Sequence, residues 1–137
     1  VMYKWRKTKD HVAIYGNHLL TLSYKNLNKI EYFKVLFSDE VSMFIDKLDN
    51  QQEKNNYNID KARFTLDPKL FKKINKDIWE FRTKYKSTQY RFLAFWDKED
   101  NNTLVITTHG FVKKSQKTPK SEIQKAMRIM DIYFNNK

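Results

Sequence analysis

Three stretches rich in aromatic and β-branched residues follow one another in the second half of the chain, separated by very short loops. They read IWEFRTKY (78–85), QYRFLAFWD (89–97) and TLVITTHGF (103–111), and the loops are KST and KEDNN. Loops this short join neighbouring strands that run antiparallel, since a parallel connection needs about a dozen residues or more. The chain is therefore expected to fold around three antiparallel strands.

A further strand and two helices are predicted before this sheet. The stretch YFKVLF (32–37) alternates as a strand does, and Ser38 after it is a good helix N-cap with two carboxylates in the next turn. A second, mostly polar helix is expected from about residue 51 to 63. Leu70, Phe71 and Ile74 are expected to form a short helical turn that packs onto the core.

A last helix is predicted after the three strands, with Thr118 as its N-cap and Pro119 at its first position, where a missing N–H costs nothing. Its apolar stripe comprises Ile123, Ala126, Met127, Met130 and Tyr133. The resulting order β-α-α-β-β-β-α predicts an α+β domain, with a mostly antiparallel sheet and the helices packed on one face.

The first 31 residues are interpreted as an N-terminal extension to a domain that spans residues 32–137. Within the extension, HVAIY and HLLTLSY flank Gly16 and Asn17, a two-residue signal for a β-hairpin. A partly irregular arm is the alternative interpretation. The function of this segment cannot be inferred from its residues.

Positive charge is the strongest compositional signal in this 137-residue chain, whose formal net charge is +11. The charge is unevenly distributed: residues 32–68 carry five Lys/Arg and seven Asp/Glu, whereas residues 69–120 carry thirteen and five. A surplus of this size attracts polyanions such as nucleic acids. The basic half of the chain is therefore the place to look for a site.

Several classes of function are disfavoured by composition. The chain has no cysteine, and its three histidines offer no close-spaced pair of metal ligands. We therefore expect no metal and no other cofactor. No stretch approaches the roughly 18 apolar residues of a membrane span, and no signal peptide is recognisable. The expected location is the cytoplasm.

Side-chain alternation along the three strands predicts one cationic surface. If Leu104, Ile106 and Thr108 face the core, the residues between them face the other way. The same reasoning in the neighbouring strands turns arginines away from the aromatic side chains. The residues that alternation gathers on this surface are Arg82, Lys84, Arg91, His109 and Lys113.

This set of side chains suits a phosphodiester substrate. Arginines grip phosphate oxygens in pairs of hydrogen bonds, and a histidine surrounded by cations is favoured in its neutral, basic form. Metal-free RNA cleavage needs a base for the ribose 2′-OH, an acid for the leaving oxygen and fixed positive charge. Phe111, on the same side as His109, is a candidate for stacking a base.

Simpler interpretations remain open for each residue. A single histidine at a strand end is often structural, KKSQK (113–117) alone would usually be a solvated loop, and Arg82 can simply pair with Glu80. Aromatic residues such as Tyr90, Phe92 and Trp96 more often form core than base-stacking platforms.

Four segments give a more specific indication. DPKLFKK, IWEFRTKY, QYRFLAFWD and above all HGFVKKSQKTPKSEI resemble the phage-derived, HigB-like branch of the RelE/ParE toxin superfamily, and the resemblance covers about residues 32–137. It implies the β-α-α-β-β-β-α fold and a toxin of a type II toxin–antitoxin system. It also implies metal-independent cleavage of mRNA on the translating ribosome, and a cognate antitoxin that is often a helix-turn-helix protein.

The resemblance also implies roles for individual residues. Arg82 and Arg91 match phosphate-gripping arginines, and His109 matches a position used for proton transfer. Lys84 and Phe111 remain candidates for contact with RNA, and Lys113, Lys114 and Lys117 match the basic tract that contacts it. The identity of the general base stays open, with Lys84 and Tyr90 as reserves.

Two other functions remain as alternatives at this stage. ParE-like relatives on the same fold inhibit DNA gyrase, and a non-catalytic RNA-binding module would also account for the charge.

Overall fold

The fold is given by a computed structural model, which describes the chain in residues 31–48, 58–65, 67–84, 87–99 and 104–136, and the backbone alone in 5–7, 12–15, 18–21, 52–57 and 85. The described residues form eight strands and three helices: β1 (Trp5–Lys7), β2 (Val12–Tyr15), β3 (His18–Thr21), β4 (Lys34–Ser38), α1 (Asp39–Asp46), α2 (Gln52–Thr65), β5 (Phe71–Lys73), β6 (Ile78–Tyr85), β7 (Thr88–Asp97), β8 (Leu104–Val112) and α3 (Lys120–Asn135).

Six of these strands form one sheet in the order β1-β4-β8-β7-β6-β5. Its pairs are antiparallel except for β4 and β8, which run parallel with Lys34 opposite Leu104. The α+β class and the antiparallel arrangement of β6, β7 and β8 are therefore as expected. In the first 31 residues, β2 pairs with β3 so that Tyr15 lies opposite His18, and β1 extends the large sheet at its edge.

The helices cover both faces of the sheet, so the prediction that they share one face was wrong. Helices α1 and α2 bury Val41, Ile45, Ile59 and Ala62 against one side, here called the α1/α2 face. Helix α3 packs Ala126 against the opposite side, here called the α3 face. The physical reason is that the central strands are apolar on both sides, as Leu93 and Phe95 on β7 and Ile106 on β8 require a cover of their own.

A β-bulge decides which way His109 faces. Leu93 on β7 pairs with His109 and the next residue, Ala94, pairs with Thr107, so Thr108 is an extra residue in β8. Its hydroxyl donates to the carbonyl oxygen of Leu93 at 3.2 Å. As a result Ile106 and His109 both lie on the α3 face, where regular alternation had placed them on opposite sides.

The helix caps were predicted with mixed success. Ser38 is the N-cap of α1 as expected, because its hydroxyl accepts a hydrogen bond from the backbone N–H of Val41 at 3.1 Å. Helix α3 starts one residue later than expected, with Pro119 as N-cap and no side-chain cap. The hydroxyl of Thr118 donates instead to the carboxylate of Glu80, at 2.7 Å.

Two other local expectations were wrong. Phe71 lies in strand β5 and not in a helical turn, because it pairs with Phe81 on β6 and stacks its ring 4.4 Å from that of Phe81. In α3, Met127 is 38% exposed, whereas Ile129 is buried and replaces it on the apolar stripe.

Gly110 lies where β8 passes the aromatic core of the α1/α2 face. A Cβ atom at this position would lie 2.6 Å from Phe92 Cε1 and 2.8 Å from Phe44 Cδ1. Because the ring of Phe92 is fully buried, neither it nor the backbone can move away without disturbing the core.

We predict that Gly110→Ala lowers the free energy of unfolding by about 1–3 kcal/mol, measured by urea denaturation. The exposed Ser121→Ala is the control, and equal stability of both variants would contradict the prediction.

Candidate functional site

A buried carboxylate holds two arginines side by side on the α3 face. Arg82 on β6 lies directly opposite Arg91 on β7. Glu80 Oε1 lies 3.2 Å from Arg82 Nε and 3.6 Å from Arg91 Nε, while its other oxygen accepts the hydrogen bond from Thr118. Two adjacent guanidinium groups repel each other, so the single negative charge between them is what allows the pair to form.

The two arginines differ in how far they reach solvent. The side chain of Arg91 is 5% exposed, and its guanidinium donates to the carbonyl oxygen of Tyr90 at 2.9 Å and to Gln89 Oε1 at 2.7 Å. Burial lowers the pKa of Arg91, an effect that Glu80 opposes. Arg82 is 29% exposed and is therefore the arginine whose guanidinium an incoming anion meets first.

Both arginines line a cavity of about 410 Å³, here called the arginine cavity, at the end of the sheet where β6 turns into β7. Lys84 and Lys69 add further positive charge to its wall, and Asn58 of α2 and Gln89 contribute amides. Its size lies in the ordinary range of small-ligand sites. A second cavity of about 630 Å³ also contains Gln89 in its wall, so the two adjoin.

Lys113 connects this second cavity with the arginines. Its backbone N–H donates to the carbonyl oxygen of Gln89 at 2.8 Å, immediately after the end of β8. Partial burial lowers the pKa of Lys113, and the positive charges of Arg91 and Arg82 lower it further. A lysine with a lowered pKa has more of its neutral amine at physiological pH, so Lys113 is better suited than an ordinary lysine to accept a proton.

His109 is buried beneath α3 and lines neither of the two cavities. Its Nε2 lies 3.0 Å from Glu122 Oε2 of α3, and its Nδ1 lies 3.0 Å from the hydroxyl of Thr108. Burial lowers the pKa of His109, Lys125 lowers it further, and Glu122 opposes both. The neutral form is thus favoured as expected, although the main cause is desolvation and not neighbouring cations.

The structure therefore brings some of the sequence-predicted residues together and separates others. Arg82, Arg91 and Lys84 line the arginine cavity, and Lys113 and Lys114 line the adjoining one. Lys117 is exposed and belongs to neither wall. Phe111 is half-buried, packs against the apolar cluster of α3 and lies 5.9 Å from the imidazole of His109, measured between ring centroids.

Gln89 and Thr118 orient Arg91 and Glu80 respectively, although the sequence predicted no role for Gln89 and only a helix cap for Thr118. Gln89 precedes Arg91 by two positions on the same strand, and this spacing puts both side chains on one face. The sequence therefore contained a signal for the contact between them. Thr118 had no such signal, because its partner is 38 positions away in the chain.

Two further properties of the described part of the chain bear on the site. Its His, Asp and Glu side chains form no group of three that would hold a metal ion. No helix in the described ranges has the length and apolar character needed to cross a membrane.

A sheet between two helical layers, with clustered cationic groups at one end, defines this molecule as a small basic α+β protein. Residues 43–131 match the phage-derived protein Gp49-like family (DUF891), and the chain belongs to that family. The family is related to the RelE-type toxins, so the expected superfamily is supported. No match was found among curated proteins or among solved structures.

The Glu80 carboxylate is predicted to be essential for stability. In Glu80→Gln, the buried Arg91 loses its counter-charge, and we expect the free energy of unfolding to fall by about 3 kcal/mol. Urea denaturation measures the change. Asp131→Asn, the same chemical change at an exposed position of α3, is the control. If both variants unfold at the same urea concentration, Glu80 does not hold the arginines in the way described.

The burial of His109 predicts a pH dependence of stability. Because the pKa of His109 in the folded protein lies below its ordinary value of 6.5, the unfolded chain binds a proton more readily. The free energy of unfolding therefore falls as the pH drops below about 6.5, by at most about 1.4 kcal/mol per pH unit from this group. Urea denaturation between about pH 5 and 7 should show a smaller slope for His109→Asn than for the wild type. Equal slopes would contradict the assignment.

Proposed function

We propose that this protein is the toxin of a type II toxin–antitoxin system, of the HigB-like branch, and that it cuts mRNA on the ribosome without a metal ion. The observation that carries the proposal is the pair of arginines held by Glu80 in the wall of the arginine cavity, with Lys113 beside them. Membership of a toxin-like family supports it independently.

The arginine pair suits the transition state of RNA cleavage. When the ribose 2′-oxygen attacks the adjacent phosphorus and the 5′-oxygen leaves, negative charge builds up on the phosphate oxygens. The guanidinium of Arg82 is accessible to them, and Arg91 supplies a second fixed positive charge behind it. Because Glu80 and Gln89 hold both groups in place before substrate arrives, little reorganisation is needed during the reaction.

Lys113 and Lys84 are the side chains best suited to the two proton transfers. Lys113, with its lowered pKa, accepts the proton of the 2′-OH. Lys84 is exposed, lines the arginine cavity and donates a proton to the departing 5′-oxygen. His109 receives no such role here, because its imidazole is 1% exposed and both of its nitrogens have protein partners.

Two macromolecular partners follow from the proposal. The positive charge concentrated in residues 69–120 would dock the toxin on ribosomal RNA and on the mRNA. Before that, a cognate antitoxin of helix-turn-helix type would bind the toxin and keep it inactive in the cytoplasm.

Removing the arginine or the lysine should abolish the toxic activity while leaving the fold intact. We expect Arg82→Ala to lower the rate of transcript cleavage about 100-fold or more, and Lys113→Met to lower it by a similar factor. Induced expression followed by mapping of transcript ends measures the effect. Lys47→Ala, an exposed lysine at the end of α1, is the matched control and should remain fully toxic.

The same experiment separates the competing functions. Translation arrest with fragmented transcripts supports the proposal. Induction of the DNA-damage response with stalled gyrase would identify a gyrase inhibitor instead. Harmless growth of cells expressing the wild type would point to a non-catalytic module. If Arg82→Ala and Lys113→Met both cleave as the wild type does, the site is wrongly assigned.

A further inference from the structure

A cavity of about 970 Å³ lies at the opposite end of the sheet from the arginines and has no part in the proposed chemistry. It opens where β7 ends and β6 begins, and the residues that line it include Trp79 and Trp96. We call it the tryptophan cavity. Both tryptophans are half-buried: each packs on the core of the α1/α2 face and keeps part of its surface accessible.

Exposed lysines connect the tryptophan cavity with the arginine cavity. Residues 69–76 carry four lysines and no carboxylate, and all four lysines are exposed. This segment, here called the lysine edge, contains β5, the last strand of the sheet. Lys69 lines the arginine cavity at one end, while Lys73 and Lys76 line the tryptophan cavity at the other.

The register between β5 and β6 fixes the separation of the two sites. Lys73 lies opposite Trp79, and the backbone N–H of Arg82 donates to the carbonyl oxygen of Leu70. Three residues of extended chain from Leu70 to Lys73 span about 10 Å, at roughly 3.3 Å per residue. A short run of nucleotides bound at the arginine cavity can therefore reach the tryptophans.

We propose that the lysine edge and the tryptophan cavity form a remote subsite for single-stranded RNA, in which a base stacks on an indole ring while the lysines follow the backbone. This combination of a cationic track with aromatic platforms is how single strands are bound without sequence preference. The subsite extends the proposed RNA-cutting function. The expectation that one RNA strand runs from the arginine cavity to the subsite rests on that function.

The charges around the tryptophan cavity favour a polyanion over a neutral ligand. Lys73, Lys76 and Lys98 line it together with two carboxylates, Asp77 and Glu99, which leaves an excess of one positive charge before the rest of the lysine edge is included. Lysines on an edge strand also prevent pairing with a second chain. The prevention of such pairing does not explain why two half-buried tryptophans line a cavity next to those lysines.

The test measures binding and not cleavage. Single-stranded RNA with every ribose 2′-O-methylated cannot be cut by 2′-oxygen attack, and a dinucleotide and a strand of about 10 nucleotides compare one subsite with both. In a Trp5→Phe background, only Trp79 and Trp96 contribute tryptophan fluorescence. We expect the longer RNA to bind about tenfold more tightly and to quench this fluorescence, and the shorter RNA to do neither.

Two surface variants show whether the lysine edge is responsible. Lys73→Ala combined with Lys76→Ala should remove the gain in affinity of the longer RNA and reduce the slope of log affinity against log salt by about 1.4. Binding of the shorter RNA should not change. Lys34→Ala combined with Lys47→Ala removes two exposed lysines that line neither cavity and is the matched control.

The outcomes separate this subsite from the proposed nuclease. Length-dependent binding in a protein that fails to cleave transcripts would leave the subsite standing and remove the cutting function. Transcript cleavage with no gain from the longer RNA, or with equal effects of the two double variants, would overturn the subsite alone. Quenching by an acidic peptide and not by RNA would also overturn it, by showing that the cavity binds protein.

Discussion

The arrangement of the α3 face depends on one buried carboxylate. Glu80 faces Arg82 on its own strand, Arg91 on the next and Thr118 in the segment that leads into α3. A buried charge is costly unless it is paired, so the buried Glu80 and Arg91 depend on each other, whereas Arg82 also reaches solvent. The same interaction thus positions the cationic groups of the candidate site and fixes where α3 begins.

Local rules predicted much of the fold. The three antiparallel strands followed from loop length, and the Ser38 cap followed from side-chain chemistry. The position of α3 did not follow, because alternation identifies two sides of a strand without showing that both are covered. The apolar residues on the second side of β7, such as Leu93 and Phe95, were the signal for a second helical layer.

The candidate site was predictable to a similar degree. Arg82, Arg91 and Lys113 lie close together as alternation along neighbouring strands required. His109 also lies on that face, but not for the reason that alternation gave. Ile106 was expected on the opposite side and in fact faces α3, and the extra residue Thr108 then brings His109 to the same side as Ile106. Its burial could not be foreseen, since the partner that covers it, Glu122, belongs to a helix assigned to the wrong face.

The parallel pairing of β4 with β8 has a consequence for when the fold is completed during synthesis. Lys34 pairs with Leu104, so this part of the sheet joins segments about 70 positions apart. Contacts of such high sequence separation form late, because the loop between them must close first. During translation, the central sheet cannot be completed until β8 has emerged from the ribosome. The candidate site, which includes Lys113 immediately after β8, is therefore assembled only once β8 has left the ribosome.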